Sequence, residues 1–168
     1  EGMVAAIAFE SIVKLGAFLA VGIWVTLGLL GLDGTIGGPS LPAAAADPRV
    51  APLLDPSISS PTNWFAISLL AAMAVMLLPR QFQVSVVENS DERQIRRAIW
   101  LFPLYLLLIN LLVIPIAVAG LLVFPDGHVN PDTFVLTLPM AFGEPWLALA
   151  VFIGGLSAAT GMVIVETI

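Results

Sequence analysis

Cysteine is absent from the 168 residues, which excludes disulfides, thiolate nucleophiles and cysteine-ligated zinc together and leaves the redox compartment open. Charge is scarce as well. Only 11% of the residues are Asp, Glu, Lys or Arg, against about 25% in ordinary globular domains. Lysine occurs once, at Lys14, and histidine once, at His128. A net charge of -6, with no basic patch larger than Arg93, Arg96 and Arg97, excludes a nucleic-acid-binding surface. There is no His-Glu-x-x-His pair, no pair of intramembrane aspartates and no serine with a nearby histidine, so the chain itself reads as non-catalytic.

What fills the chain is apolar: 59% of its residues are hydrophobic and its mean hydropathy is +1.02. No soluble core of this size needs so much apolar surface. The runs 4–32, 64–87, 98–124 and 146–168 are each long enough to cross the roughly 30 Å of bilayer hydrocarbon, for which about 20 helical residues suffice. The expected fold is therefore an all-α membrane protein with four transmembrane helices, two outer loops at 33–63 and 125–145, and a turn at 88–97. That turn carries Arg93, Arg96 and Arg97, whereas the two loops hold Arg49 and no lysine. Positive residues in short loops mark the cytoplasmic side, so the spans alternate from an inner start and the lipid bilayer is the first partner. Both ends, at Glu1 and at Ile168, read as cuts in a longer membrane protein whose remaining helices lie outside this chain.

Polar residues inside the spans are the candidates for function. Pro79 cannot donate to the carbonyl of Val75, and Arg80 follows it at once. Open backbone and a guanidinium within a span are tolerated where they face packed protein or a wet cavity, so Pro79 and Arg80 mark either a solute path or a proline kink whose arginine reaches back to the cytoplasmic headgroups, with Asn110 of the third span lining the cavity or bridging two helices. Glu10 and Lys14, four apart, form either a self-neutralised helical pair or an ion relay. Ser157 and Thr160 share a face in the run Gly-Gly-Leu-Ser-Ala-Ala-Thr-Gly at 154–161; beside close backbone carbonyls they suit either helix packing or a dehydrated cation. Gly16, Ala20, Gly22 and Gly28 in the first span and Gly154, Ala158 and Gly161 in the fourth let neighbouring backbones approach. A cap for the second span is expected within 61–64. Asp126, His128, Asp132 and Glu144 fall in the second outer segment, where 133–142 is apolar but too short to span and is expected to be a short outer helix or lid resting on the bundle.

Several blocks are more specific. Phe9-Glu10-Ser11, Leu-Pro-Arg-Gln-Phe-Gln at 78–83, Val-Glu-Asn at 87–89 with Asp-Glu-Arg at 91–93, Trp-Leu-Phe-Pro-Leu-Tyr at 100–105 and the stretch 154–166 occur in this order. Together they resemble the sodium:solute symporter family, most of all the symporter-like membrane module of bacterial sensor histidine kinases. The resemblance implies a fold of two inverted five-helix repeats, of which this chain supplies four consecutive helices, in the bacterial inner membrane. It also implies that Pro79, Arg80 and Gln81 lie on the cytoplasmic part of a broken helix carrying a small polar solute such as an amino acid. Symporters of this family hold sodium with an adjacent Ser-Thr pair, and the matching positions here are Ala158 and Ala159, flanked by Ser157 and Thr160. This departure suits a sensor or a proton-coupled carrier better than a sodium symporter. A cytoplasmic kinase domain is the partner implied for a sensor, and the histidine kinase chemistry would be the parent's. A non-catalytic packing or scaffold subunit is the alternative from another class.

Overall fold

The computed structural model describes residues 2–29, 44–55, 57, 60–77 and 92–166. Among them no strand occurs. The helices are α1 (Gly2–Trp24), continued by a π-helical turn (Val25–Leu29), then α2 (Ala51–Leu54), α3 (Pro61–Leu77), α4 (Glu92–Val123), a 3-10 turn (Pro131–Thr133), α5 (Phe134–Ala141) and α6 (Pro145–Glu166). Three segments are long and apolar enough to cross a bilayer: Ala8–Gly28, Ile95–Val123 and Pro145–Val163, the second with a mean hydropathy of 2.8. The expected second span, 64–87, is described only as far as Leu77, so its remainder lies outside the described residues.

Local chemistry explains where the helices begin and end. The hydroxyl of Ser60 accepts from the N–H of Asn63 and its carbonyl accepts from Trp64, which makes Ser60 the N-cap of α3 and puts Pro61 at the first helical position, where no N–H is needed. The cap thus precedes the expected 61–64. At the other end of the chain, α5 closes with Gly143 at φ +72°, the N–H of Glu144 donating to the carbonyl of Pro139 and that of Gly143 to Met140. These are the two bonds of a Schellman cap. The carbonyl of Glu144 then accepts from Ala148, and Pro145 opens α6. The sequence Gly-Glu-Pro therefore ends one helix and starts the next within three residues.

The chain divides into two units, 1–53 with 107–168, and 54–106. The first has a core in which Val21 and Val25 of α1, Ala44 and Val50 of the following segment, Ile116, Val118 and Ala119 of α4, and Phe134 and Leu138 of α5 are buried together. Two glycines make this possible. Gly22 lies against Leu112, whose Cδ1 is 2.5 Å from where a Cβ would stand, and Gly120 lies under the ring of Phe134. Phe134 also stacks on Phe124 at 5.9 Å, while Trp24 meets Phe142 edge-on at 5.8 Å. In the second unit the side chains described from 61 to 74 are all exposed. There the hydroxyl and N–H of Ser57 hold the Asp55 carboxyl below its ordinary pKa.

Three connecting segments carry helix. The turn 88–97 is partly helix, because α4 begins at Glu92; the run Glu-Arg-Gln-Ile-Arg-Arg consists largely of strong helix formers, and an acid at a helix start is favoured by the backbone dipole. The loop 33–63 holds α2 and a turn pinned by Arg49, whose Nε and Nη2 donate to the two carboxylate oxygens of Asp47 at 2.9 and 2.8 Å. The apolar stretch 133–142 forms the short helix expected there, α5, which buries Phe134, Leu138 and Pro139 against the core and leaves Met140 63% exposed.

Candidate functional site

Glu10, Lys14 and Ser157 of the first unit lie where α1 meets α6. Gly154 approaches Ala17, with 2.9 Å between a would-be Cβ and that of Ala17, and Gly161 lies against the carboxylate of Glu10. Residue numbers fall along α1 as they rise along α6, so the two helices run antiparallel. Missing side chains at Gly154 and Gly161 bring the backbones together, as small residues do between helices in lipid, where apolar surface alone supplies no drive to associate.

Glu10 and Lys14 do not pair. Among the described residues the ion pair within 4.0 Å is Arg49–Asp47, at 2.8 Å. Glu10 is half-buried and turned toward α6, where only the lack of a side chain at Gly161 leaves room for its carboxylate. Lys14, also half-buried, lines a groove of about 430 Å³ shared with Phe18, Asp132, Val135, Gly154 and Ala158. The self-neutralised pair expected from the four-residue spacing is therefore replaced by two charges facing different neighbours. The reason is that tertiary contacts along α6 outweigh a helical ion pair worth only about 0.5 kcal/mol.

The hydroxyls behave as the packing alternative predicts. The Ser157 hydroxyl donates to the backbone carbonyl of Glu10 across the seam at 3.5 Å, and that of Thr160 donates to the carbonyls of Leu156 and Ser157 at 2.9 Å each. Each hydroxyl oxygen keeps lone pairs that can face a cation, since donation uses only its hydrogen. Ala158 lies in the groove and Ala159 is exposed. Asn110 is exposed on α4, away from the residues that line the groove. Pro79, Arg80 and Gln81 lie outside the described residues.

Asp132 is the residue that sequence reasoning did not bring to the site. It lies 118 positions beyond Lys14 on the 3-10 turn, where its N–H is held by the side chain of Asn130 at 3.0 Å, and no spacing rule connects the two. A weaker signal was present in Pro139, which deprives the Val135 carbonyl of the N–H a regular helix supplies four residues on. Val135 is also one of the residues that line the groove.

Outside the spans, the hydrogen bonds from Arg49 hold the Asp47 carboxyl down from 3.8 to about 2, and the same contact raises the Arg49 guanidinium. This pair orders a turn whose neighbours Ala44 and Val50 are buried. Among the described residues no group of three or more His, Cys, Asp or Glu side chains could hold a metal ion. No family model, curated protein or solved structure matches the chain.

Proposed function

We propose that the chain is part of a sodium:solute-symporter-like transmembrane module that transports or senses a small polar solute such as an amino acid. It belongs in the bacterial inner membrane with 88–97 on the cytoplasmic side, as the input region of a sensor histidine kinase. What carries this reading is the α1/α6 seam, where Glu10, Lys14 and Ser157 lie within helices apolar enough to cross a bilayer. Ionisable groups in such segments are expensive and are retained for a task. The adjoining groove, at about 430 Å³, is within the size range of small-molecule sites and offers Lys14 to a carboxylate and Asp132 to an ammonium group. Glu10 beside the Ser157 hydroxyl is the group that would carry a coupling proton or face a sodium ion. In a sensor, occupancy would bias two membrane conformations and so reach the kinase.

Because the chain has no cysteine, Ser157→Cys introduces a unique probe. Its reaction with a membrane-permeant maleimide should slow when amino acids, with or without sodium, are added, as should that of a cysteine at Arg80 or Gln81. Identical rates with every solute and ion would leave the second reading, a non-catalytic packing or scaffold subunit. That reading is favoured by one observation, that the hydroxyls of Ser157 and Thr160 both donate to backbone carbonyls, the first across the seam and the second within α6. The 168 residues alone should give no saturable uptake in proteoliposomes, since transporters of this architecture enclose the solute between two repeats.

A further inference from the structure

Three arginines of the second unit open the apolar α4 on one face. Arg93, Arg96 and Arg97 and, one turn on, Trp100 and Leu101 recur at spacings of three and four, and together they line a cleft of about 720 Å³. The segment able to cross a bilayer begins at Ile95, which puts this stripe at the boundary between headgroups and hydrocarbon. In the sequence the acids Glu88, Asp91 and Glu92 come first and the arginines nearer the apolar run, so the cationic side chains are those closest to that boundary. Arg96 and Arg97 are exposed, and Trp100 is 78% exposed.

We propose that this cleft is a binding site for an anionic phospholipid of the leaflet that faces 88–97. Guanidinium groups present paired N–H donors that match a phosphate, and an indole is favoured at headgroup level with its ring toward the acyl chains. The order along the helix, cation then aromatic then aliphatic, is the order of phosphate, glycerol and chain in a lipid. A soluble acidic peptide matches the arginines but leaves Trp100, Leu101 and the 61%-exposed Ile99 without an apolar counterpart, which favours the lipid. The site rests on the span and the cleft alone and is independent of what the α1/α6 seam binds.

The test is native mass spectrometry of the protein released from nanodiscs of mixed phosphatidylglycerol and phosphatidylcholine, with helicity checked by circular dichroism. Phosphatidylglycerol should be retained preferentially. Because a basic residue near an anionic surface is worth about fivefold in partitioning, Arg96→Gln with Arg97→Gln should cut that preference roughly 30-fold. Replacement of both by lysine should keep most of it, and this variant with the wild-type headgroup comparison decides the matter if the glutamine variant does not insert. Millimolar inorganic phosphate or an acidic peptide should not displace the lipid; displacement by either assigns the cleft to a soluble anion or a protein partner and overturns the proposal. Equal retention of the two lipids by the wild type, or an unchanged preference in a folded glutamine variant, overturns it as well.

Discussion

α3 and α6 are both long apolar helices, yet they meet different fates. In α3 every side chain described between 61 and 74 is exposed, including Trp64, Phe65 and Leu70, and the helix contains no glycine. α6 carries Gly154, Gly155, Ser157, Ala158 and Gly161 and closes on α1 along its length. Both are apolar, but missing side chains and a well-placed hydroxyl bring α6 onto α1. Affinity for lipid and affinity for another helix are thus written in different residues.

The comparison breaks most easily at the core glycine that seats an aromatic ring. Gly120→Ala should be the most damaging single methyl, because the ring of Phe134 occupies that space and is held by Phe124. Overpacking of a rigid site costs about 3 kcal/mol at the upper end, readable as a lowered midpoint of unfolding in mixed micelles. Next comes a pair of neighbours on α6. Gly154→Ala meets the Cβ of Ala17 and should separate the helices, with a loss of about 2 kcal/mol, whereas Gly155→Ala meets nothing within 4 Å and should be neutral or stabilising by up to about 1 kcal/mol through helix propensity. Equal effects of the two would dissolve the distinction between a packing face and a free face.

A finer instrument is Gly161→Ala. Its methyl meets only the flexible end of Glu10, so stability should change by less than about 0.5 kcal/mol while the carboxylate is displaced from the seam. If Glu10 serves the proposed coupling, solute-dependent labelling at Ser157→Cys should weaken in this background although the melting midpoint does not move. The smallest effect lies outside the membrane. The Asp47 carboxyl, held at about 2, contributes stability to its turn above its ordinary value of 3.8, and this is lost as the pH falls from 3.8 toward 2. Arg49→Gln should move its titration part of the way back toward 3.8, since the N–H of residue 49 still donates to the carboxylate, and carboxyl carbon NMR shifts would show this.

Sequence reasoning reached the helical class, three of the helices long enough to span and a short helix within 133–142, because those depend on composition and on periodicity along one helix. Of the small residues expected to admit a neighbour, Gly22, Gly154 and Gly161 do, whereas Gly16 meets nothing within 4 Å. Length alone could not tell which face of 133–142 joins Val21, Ile116 and Ala119. The candidate site was legible in part: Glu10 and Lys14 stood out as charges in an apolar run, but their separation into a seam and a groove did not, and Asp132 was invisible.

The order of residues by itself determined that this chain is helical and apolar enough to cross a bilayer, since backbone groups in hydrocarbon must be satisfied within the segment and 1.5 Å per residue fixes the length required. Only the tertiary structure decided which faces meet, that one face of α5 joins the core and that Lys14 and Asp132 share one groove. Those outcomes turn on contacts between residues far apart in the chain, where a single absent methyl group at Gly120, Gly154 or Gly161 selects the neighbour.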